Sequence, residues 1–332
     1  MLGFRDGSGR ENGMLPVVRL ALIALVAGAV GSAWAQAPLA EPIRPLPLGH
    51  GIDLQRAALG RALFYDVRLS RQSTQNCASC HQLGKGGADG KALSSLGGAL
   101  RTRFNTPTVY NSSFNIRQGW TGRHRGVDGL LDHVLTAPPG GTTWDLVALR
   151  LAGDGALATE FNAVYGSDVS AALLKDALGS YLQTLVTPSR FDRHLRGDKA
   201  ALSHEEKLGY ARFKSFGCVA CHQGINVGGN MYQKFGAMRP LAPGAAMAAD
   251  PGRFELTGKA ADRHLFRVPS LRNVALTAPY FHNGSVATLD EAVDAMVKYQ
   301  LGRTATASDR ALLVRFLETL SGEVLPPRGA QP

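Results

Sequence analysis

Two Cys-x-x-Cys-His pentads, Cys77-Ala78-Ser79-Cys80-His81 and Cys218-Val219-Ala220-Cys221-His222, account for all four cysteines of the 332-residue chain. The two-residue spacing puts both sulfurs on one side of a short turn, and the adjoining histidine points the same way. In this pattern the thiols add to the vinyl groups of a haem and the imidazole ligates its iron. A single four-thiolate zinc site would place its two pairs much closer together in sequence. A redox disulfide gives no reason for histidine to follow both pairs. The pentads therefore predict two covalent c-type haems, attached through Cys77, Cys80, Cys218 and Cys221, with His81 and His222 as axial iron ligands.

The N-terminal segment reads as an export signal. Arg19 precedes an apolar run from Leu20 to Val30, and Ala33-Trp34-Ala35 forms a small-x-small cleavage site before Gln36. The run is short for a bilayer span, and no later stretch approaches the length a span needs. Residues 1–13 are polar and unlike the basic start of a signal, so Met14 is an alternative first residue. Cleavage after Ala35 and covalent haem attachment agree on the periplasmic side of a bacterial membrane. The formal charge of +10 favours an acidic electron-donor protein or anionic lipid over a basic partner. No Lys/Arg run interleaved with aromatics is present, which argues against nucleic acid.

The two halves repeat weakly. Leu59-Gly60-Arg61-Ala62-Leu63-Phe64 precedes the first pentad, and Leu208-Gly209-Tyr210-Ala211-Arg212-Phe213 precedes the second. Each reads as a helix leading into the attachment turn, and Ser203-His204-Glu205-Glu206 has the form of a capping box. Further helices are expected at 144–153, 169–187, 288–298 and 306–321 from apolar spacing, with Thr288 and Ser308 as caps. Strand alternation is scarce, and 83–98 and 223–252 read as long loops. The expected fold is mostly α: two tandem cytochrome c-like haem domains at 36–189 and 190–332, after a signal peptide at 1–35. The link falls near Thr187-Pro188-Ser189-Arg190.

With these pieces in place the chain resembles the bacterial di-haem cytochrome c peroxidase family, which includes MauG-like enzymes. The likeness runs from Leu59 to Gly322. It rests on Leu63-Phe64-Tyr65-Asp66, both pentads with their glycine loops, Asn105-Thr106-Pro107-Thr108-Val109-Tyr110-Asn111, Trp120-Thr121-Gly122-Arg123 and Phe191-Asp192-Arg193. The densest blocks are Val268-Pro269-Ser270-Leu271-Arg272-Asn273-Val274 and Thr277-Ala278-Pro279-Tyr280-Phe281-His282-Asn283-Gly284. The resemblance implies that hydrogen peroxide is reduced at the N-terminal, peroxidatic haem. Electrons then enter at the C-terminal haem from a small cytochrome c or cupredoxin. It implies Met296 as sixth ligand of the C-terminal iron, where a thioether raises the potential; Met231, Met238 and Met247 are competitors in the long loop. It implies Trp120 as a relay between the haems, leaving Trp144 as packing. It also implies an inter-haem calcium held by Asn105 and the carbonyls of Thr277 and Pro279, and a homodimer.

The departures from the family pattern bear on mechanism. Family peroxidases often carry a ligating histidine in the loop after the first pentad; here Ser94-Ser95-Leu96-Gly97-Gly98-Ala99 has none. The N-terminal haem is therefore expected to be five-coordinate or water-ligated at rest. The family's distal glutamine and glutamate are also missing, with Leu130 near the first position and Pro139 or Gly140 near the second. Peroxide cleavage needs a base that takes the first proton and returns it to the leaving oxygen. His133 is the expected substitute because imidazole titrates in the useful range; Asp132 and His124 are weaker choices, and a solvent-facing helical histidine is the plain alternative. Two other functions fit the same pattern: a MauG-like oxidase of a partner protein's aromatic side chain, and a non-catalytic di-haem electron carrier. Protein-oxidising MauG-like enzymes carry tyrosine where Met296 stands, and an open iron site argues against a carrier.

Overall fold

The computed structural model describes residues 41–48, 51–137, 141–240 and 250–323; the expected export signal and cleavage site lie outside them. Helix α1 (Leu54–Phe64) starts where the Asp53 carboxylate accepts the Gln55 and Arg56 amides. It crosses α5 (Ala171–Thr184) so closely that a Cβ on Gly60 would collide with the Ala177 carbonyl. Helix α7 (His204–Ser215) repeats the arrangement, with Gly209 against the Leu312 carbonyl of α9 (Ala307–Glu318). The glycine shared by the two Leu-Gly segments is thus a close-approach position, where any side chain would force the helices apart.

Two separate hydrophobic clusters result. Leu63, Val147, Leu151, Phe161, Leu174 and Leu178 centre the first, where α1 and α5 meet α2 (Gly126–Thr136), α3 (Trp144–Ala152) and α4 (Gly155–Tyr165). Phe191, Phe213, Val297, Leu313, Phe316 and Leu320 centre the second, from α6 (Arg190–Leu195), α7, α9 and the region after α8 (Leu289–Ala295). Full burial of each such side chain contributes about 1.5–3 kcal/mol. Ile43 belongs to the second cluster although it precedes the first in sequence. From Pro42 onward the contacts make one compact unit around both cores.

The four expected helices are present with altered ends. The 306–321 helix is capped by Thr306, not Ser308, because Thr306 and Asp309 satisfy each other's backbone amides in a capping box. The 169–187 helix stops at Thr184, since Thr187 precedes Pro188 and the residue before proline avoids helical geometry. The 288–298 helix becomes a π-turn at Met296–Gln300. Helices α2 and α4 go beyond those expected from apolar spacing. Among the described residues the strands form only short antiparallel pairs: Ser95–Gly97 with Leu100–Arg101, Arg117–Gln118 with His124–Arg125, and Tyr232–Lys234 with Leu265–Arg267.

Thr187 ties the halves together. Its hydroxyl accepts the Asn111 side-chain amide at 2.7 Å and the Asn273 side-chain amide at 2.8 Å. Both asparagines are left-handed (φ 58° and 61°) and precede a short 3-10 turn. Nearby, Arg272 grips Asp192 with two hydrogen bonds of 2.9 and 3.0 Å, and both side chains are wholly buried. Burial pushes Asp192 up, but the Arg272 charge and hydrogen bonds outweigh it and hold the carboxyl below its usual range. Asp192 also accepts the Leu46 amide at 2.7 Å, and Arg272 donates to the Arg44 carbonyl at 3.3 Å. The segment around Ile43 is thereby strapped to the second core.

Candidate haem sites

Each pentad closes a tight turn that aims its histidine inward. Cys77–Cys80 is one helical turn capped by Asn76, and Cys218–Ala220 is a 3-10 turn after Gly217. In both, the histidine amide donates to the carbonyl of the first cysteine at 2.9 Å. His81 Nδ1 lies 3.2 Å from the Gly87 carbonyl, and His222 Nδ1 lies 3.3 Å from the Val227 carbonyl. Those carbonyls also accept the Val109 and Leu271 amides, so each imidazole is held against a braced backbone group. An Nδ1–H donated to a carbonyl leaves the Nε2 lone pair free for a metal. Burial lowers both imidazoles below the ordinary histidine range, His222 to about 4, and keeps them neutral.

The thiols are free, and burial pushes Cys77 up to about 11 and Cys218 up to about 12. A metal-binding or redox-active pair depends on the opposite shift. Among the described residues no three His, Cys, Asp or Glu side chains converge as a zinc site requires. Attachment to a prosthetic group through the sulfurs fits these thiols better than either alternative.

A cavity of about 680 Å³ reaches from His81 to His222, and Trp120, Met296, His124 and His133 also line it. Three buried side-chain nitrogens on its wall, Arg267 Nη1, His282 Nε2 and His124 Nε2, have no hydrogen-bond partner, although Asp250 stands 4.0 Å from His282 Nε2. Arg267 is anchored by its Nε to the Gly119 carbonyl at 2.9 Å, and burial lowers it to about 10. His282 stacks on Phe266 at 4.3 Å and stands edge-on to Trp120 at 6.3 Å. Orphaned buried donors are costly unless a ligand satisfies them, and haem carboxylates are ligands of the right charge. The residues present therefore fit two haems.

The two halves contribute different residues to the cavity wall. From the second, Met296 is the one methionine that lines it among the described residues; Met238 is 65 % exposed, and Met247 lies outside the described residues. The π-turn that Met296 opens is a distortion frequent at functional sites. Leu96 from the histidine-free loop and Leu130 at the family's glutamine position both line the cavity. Pro139 and Gly140 lie outside the described residues.

His133 and His124 stack there, with ring centres 4.7 Å apart and planes 29° from parallel. His124 Nε2 is buried without a partner. Burial lowers both below the usual imidazole value; for His124 the next cause is His133, and for His133 it is Arg123. Asp132 is occupied elsewhere: its carboxylate accepts Trp144 Nε1 at 2.7 Å and Lys175 at 3.3 Å. Helical spacing alone does not show that His124, at the end of a paired strand, lies beside His133.

Trp120 Nε1 donates to the Asn105 carbonyl at 2.8 Å, and the Trp120 carbonyl accepts the Arg267 amide at 2.8 Å. Asn105, Thr277 and Pro279 contribute to the same cavity wall, and the Asn105 side-chain amide donates to the Lys91 carbonyl at 2.9 Å.

A mostly helical scaffold thus carries two braced Cys-x-x-Cys-His turns on one shared cavity. The profile of the di-haem cytochrome c peroxidase family matches residues 54–200. Cytochrome c551 peroxidase of Nitrosomonas europaea is 37 % identical over 94 % of this chain and 96 % of its own length. Cytochrome c peroxidase Ccp of Escherichia coli K12 is 42 % identical over 86 % of this chain, which spans only 62 % of that relative. Methylamine utilization protein MauG of Methylorubrum extorquens is 31 % identical over 84 % of the chain. A solved MauG-like protein associated with microbial copper homeostasis superposes with a TM-score of 0.73 at 27 % identity, covering 90 % of this chain and 99 % of that one. The chain is an enzyme of the di-haem cytochrome c peroxidase family.

Proposed function

We propose that the protein is a periplasmic peroxidase that reduces hydrogen peroxide to water with electrons from a small cytochrome c or cupredoxin. The observation that carries this reading is the lining of the shared cavity: both pentad histidines, a single methionine from the second half among the described residues, and Leu96, Leu130 and two stacked histidines from the first. Bound haem supplies iron that exchanges electrons with a carrier at one end and with peroxide at the other. In this reading residues 36–189 carry the peroxidatic site and residues 190–332 the electron-entry site.

Met296 would supply the thioether, and His222 the imidazole, that hold the C-terminal haem iron. Trp120 stands between the two sites as the electron relay, its indole fixed by the Asn105 carbonyl. His133 and His124 form the distal acid–base pair. One imidazole takes the proton of incoming peroxide and returns it to the departing oxygen, while the stacked ring holds its plane. Arg267 would pair with a haem carboxylate, and His282, which burial keeps neutral, would donate a hydrogen bond to one. Asn105, Thr277 and Pro279 offer oxygen atoms of the kind calcium prefers. Among the described residues no helix is long and apolar enough to cross a membrane; export rests on the leader sequence.

The test is steady-state peroxide turnover with a reduced carrier, recorded beside spectra of both redox states. Peroxide-dependent oxidation of the carrier, with one Met/His and one high-spin haem, is the expected result. Two low-spin haems and no peroxide turnover would instead mark a carrier.

A further inference from the structure

Three phenols lead from the first haem site to solvent. Tyr110 lines the cavity beside His81 and packs with Cys77 and Leu83 against the first core. Its hydroxyl donates to the Leu83 carbonyl at 2.9 Å. Tyr181 on α5 is 6 % exposed and meets Phe64 edge-on at 5.3 Å. Tyr65 follows α1, meets the same Phe64 ring at 5.4 Å, and is 43 % exposed. The Tyr65 carbonyl accepts the side-chain amide of Asn76, the residue that caps the first pentad, at 2.6 Å. Tyr181 belongs to the core that Tyr110 packs against, and shares the Phe64 ring with Tyr65. Tyr181 is pushed up to about 12 by burial, then by Tyr65 and Tyr110, and Tyr110 is raised by burial, then by Tyr65.

We propose that Tyr110, Tyr181 and Tyr65 form an outlet for oxidising equivalents, ending at a surface site where small phenols are oxidised one electron at a time. This rests on the peroxidase reading and extends it to a second class of reductant. Phenols are among the most easily oxidised side chains, and a phenoxyl radical persists once its proton has left. The Tyr110 proton is directed at a carbonyl, which cannot take it. Tyr65 alone of the three stands well out in water, so the oxidising equivalent comes to rest there. A phenol at the surface returns a hydrogen atom to Tyr65, and the overall reaction balances as one hydrogen peroxide and two phenols giving two waters and two phenoxyl radicals. Arg61 lies over the Tyr65 ring at 5.6 Å, which marks the site as cationic.

The experiment treats the holoenzyme with peroxide in the absence of any protein donor, using 2-methoxyphenol as the reductant. Freeze-quenched samples should show a tyrosyl radical by electron paramagnetic resonance, and a nitroso spin trap should label Tyr65 in peptide maps. Tyr65→Phe and Tyr181→Phe should each lower 2-methoxyphenol turnover by roughly tenfold or more, leaving turnover with the reduced carrier unchanged. Because Tyr181→Phe keeps Tyr65 exposed, loss of the Tyr65 label in that variant separates relay from direct surface attack. Unchanged phenol turnover in both variants, or undiminished Tyr65 labelling in Tyr181→Phe, would overturn the proposal. A wild-type enzyme that oxidises the phenol but not the reduced carrier would support the outlet and reject the carrier reading alone.

Discussion

The two halves hold their proximal histidines in the same way and differ in what they place across the cavity. The histidine amide bond, the braced carbonyl at Nδ1, the left-handed asparagine and the glycine at the helix crossing all recur. Opposite that shared frame, the second half has a helix that loosens into a π-turn at Met296, and the first has Leu96, Leu130 and two stacked histidines. Repetition thus fixes the pentad turns and the braces on their histidines, while loops and helix ends outside the repeat make the two contributions to the cavity wall differ. The halves are also unequal in stability devices. The buried Asp192–Arg272 pair and the strap around Ile43 belong to the second core.

Removing the distal pair should break the contrast most severely. His133→Ala and His124→Ala, singly and together, should slow the peroxide-dependent step by ~10²–10⁴, the usual worth of an acid–base group. Stopped-flow mixing with peroxide checks this, and reduction of the C-terminal haem should be untouched. Normal kinetics in the double variant would leave the first half without an acid–base group. The same pair sets the acid limb of activity. Because burial and neighbouring charge lower both imidazoles, the neutral base persists below the usual value of 6.5, and activity should fall only as pH drops through that lowered value. Arg123 pushes in the same direction and Asp132 opposes it at His124. A limb centred above the ordinary histidine range would contradict this arrangement.

Truncating Asp192 to Ala strands a wholly buried guanidinium and should cost about 3–5 kcal/mol, read as a lowered denaturation midpoint of the holoprotein. The loss should be felt first in the second haem's spectrum. Met296→His sharpens the contrast at the other end, since imidazole stabilises ferric iron better than a thioether. The potential of the C-terminal haem should drop clearly, and that of the N-terminal haem should not. A stability loss comparable to that of Asp192→Ala is expected at the shared hinge. Thr187→Val leaves the Asn111 and Asn273 amides without their common acceptor, a loss of about 1–3 kcal/mol for each buried group left unpaired. Equal softening of both haem environments, seen by resonance Raman at the two iron–imidazole bonds, would fit the pseudo-symmetric geometry.

The sequence by itself pointed to two haems and to the two five-residue turns that would hold them, because that chemistry is local. It also determined the helices whose apolar spacing is regular, and the family. Tertiary structure decided what distant residues bring together. Gly60 and Gly209 read as parts of a weak repeat, and only packing shows them as the crossing points of α1 with α5 and α7 with α9. Arg267 and His282 carried no signal as ligands, since an orphaned donor is defined by its missing neighbours. His124 joined His133 through a strand turn, and Asp132 left the site for Trp144 and Lys175. Backbone chemistry within one turn is written in adjacent letters, whereas a cavity wall depends on how far every intervening element travels before it returns.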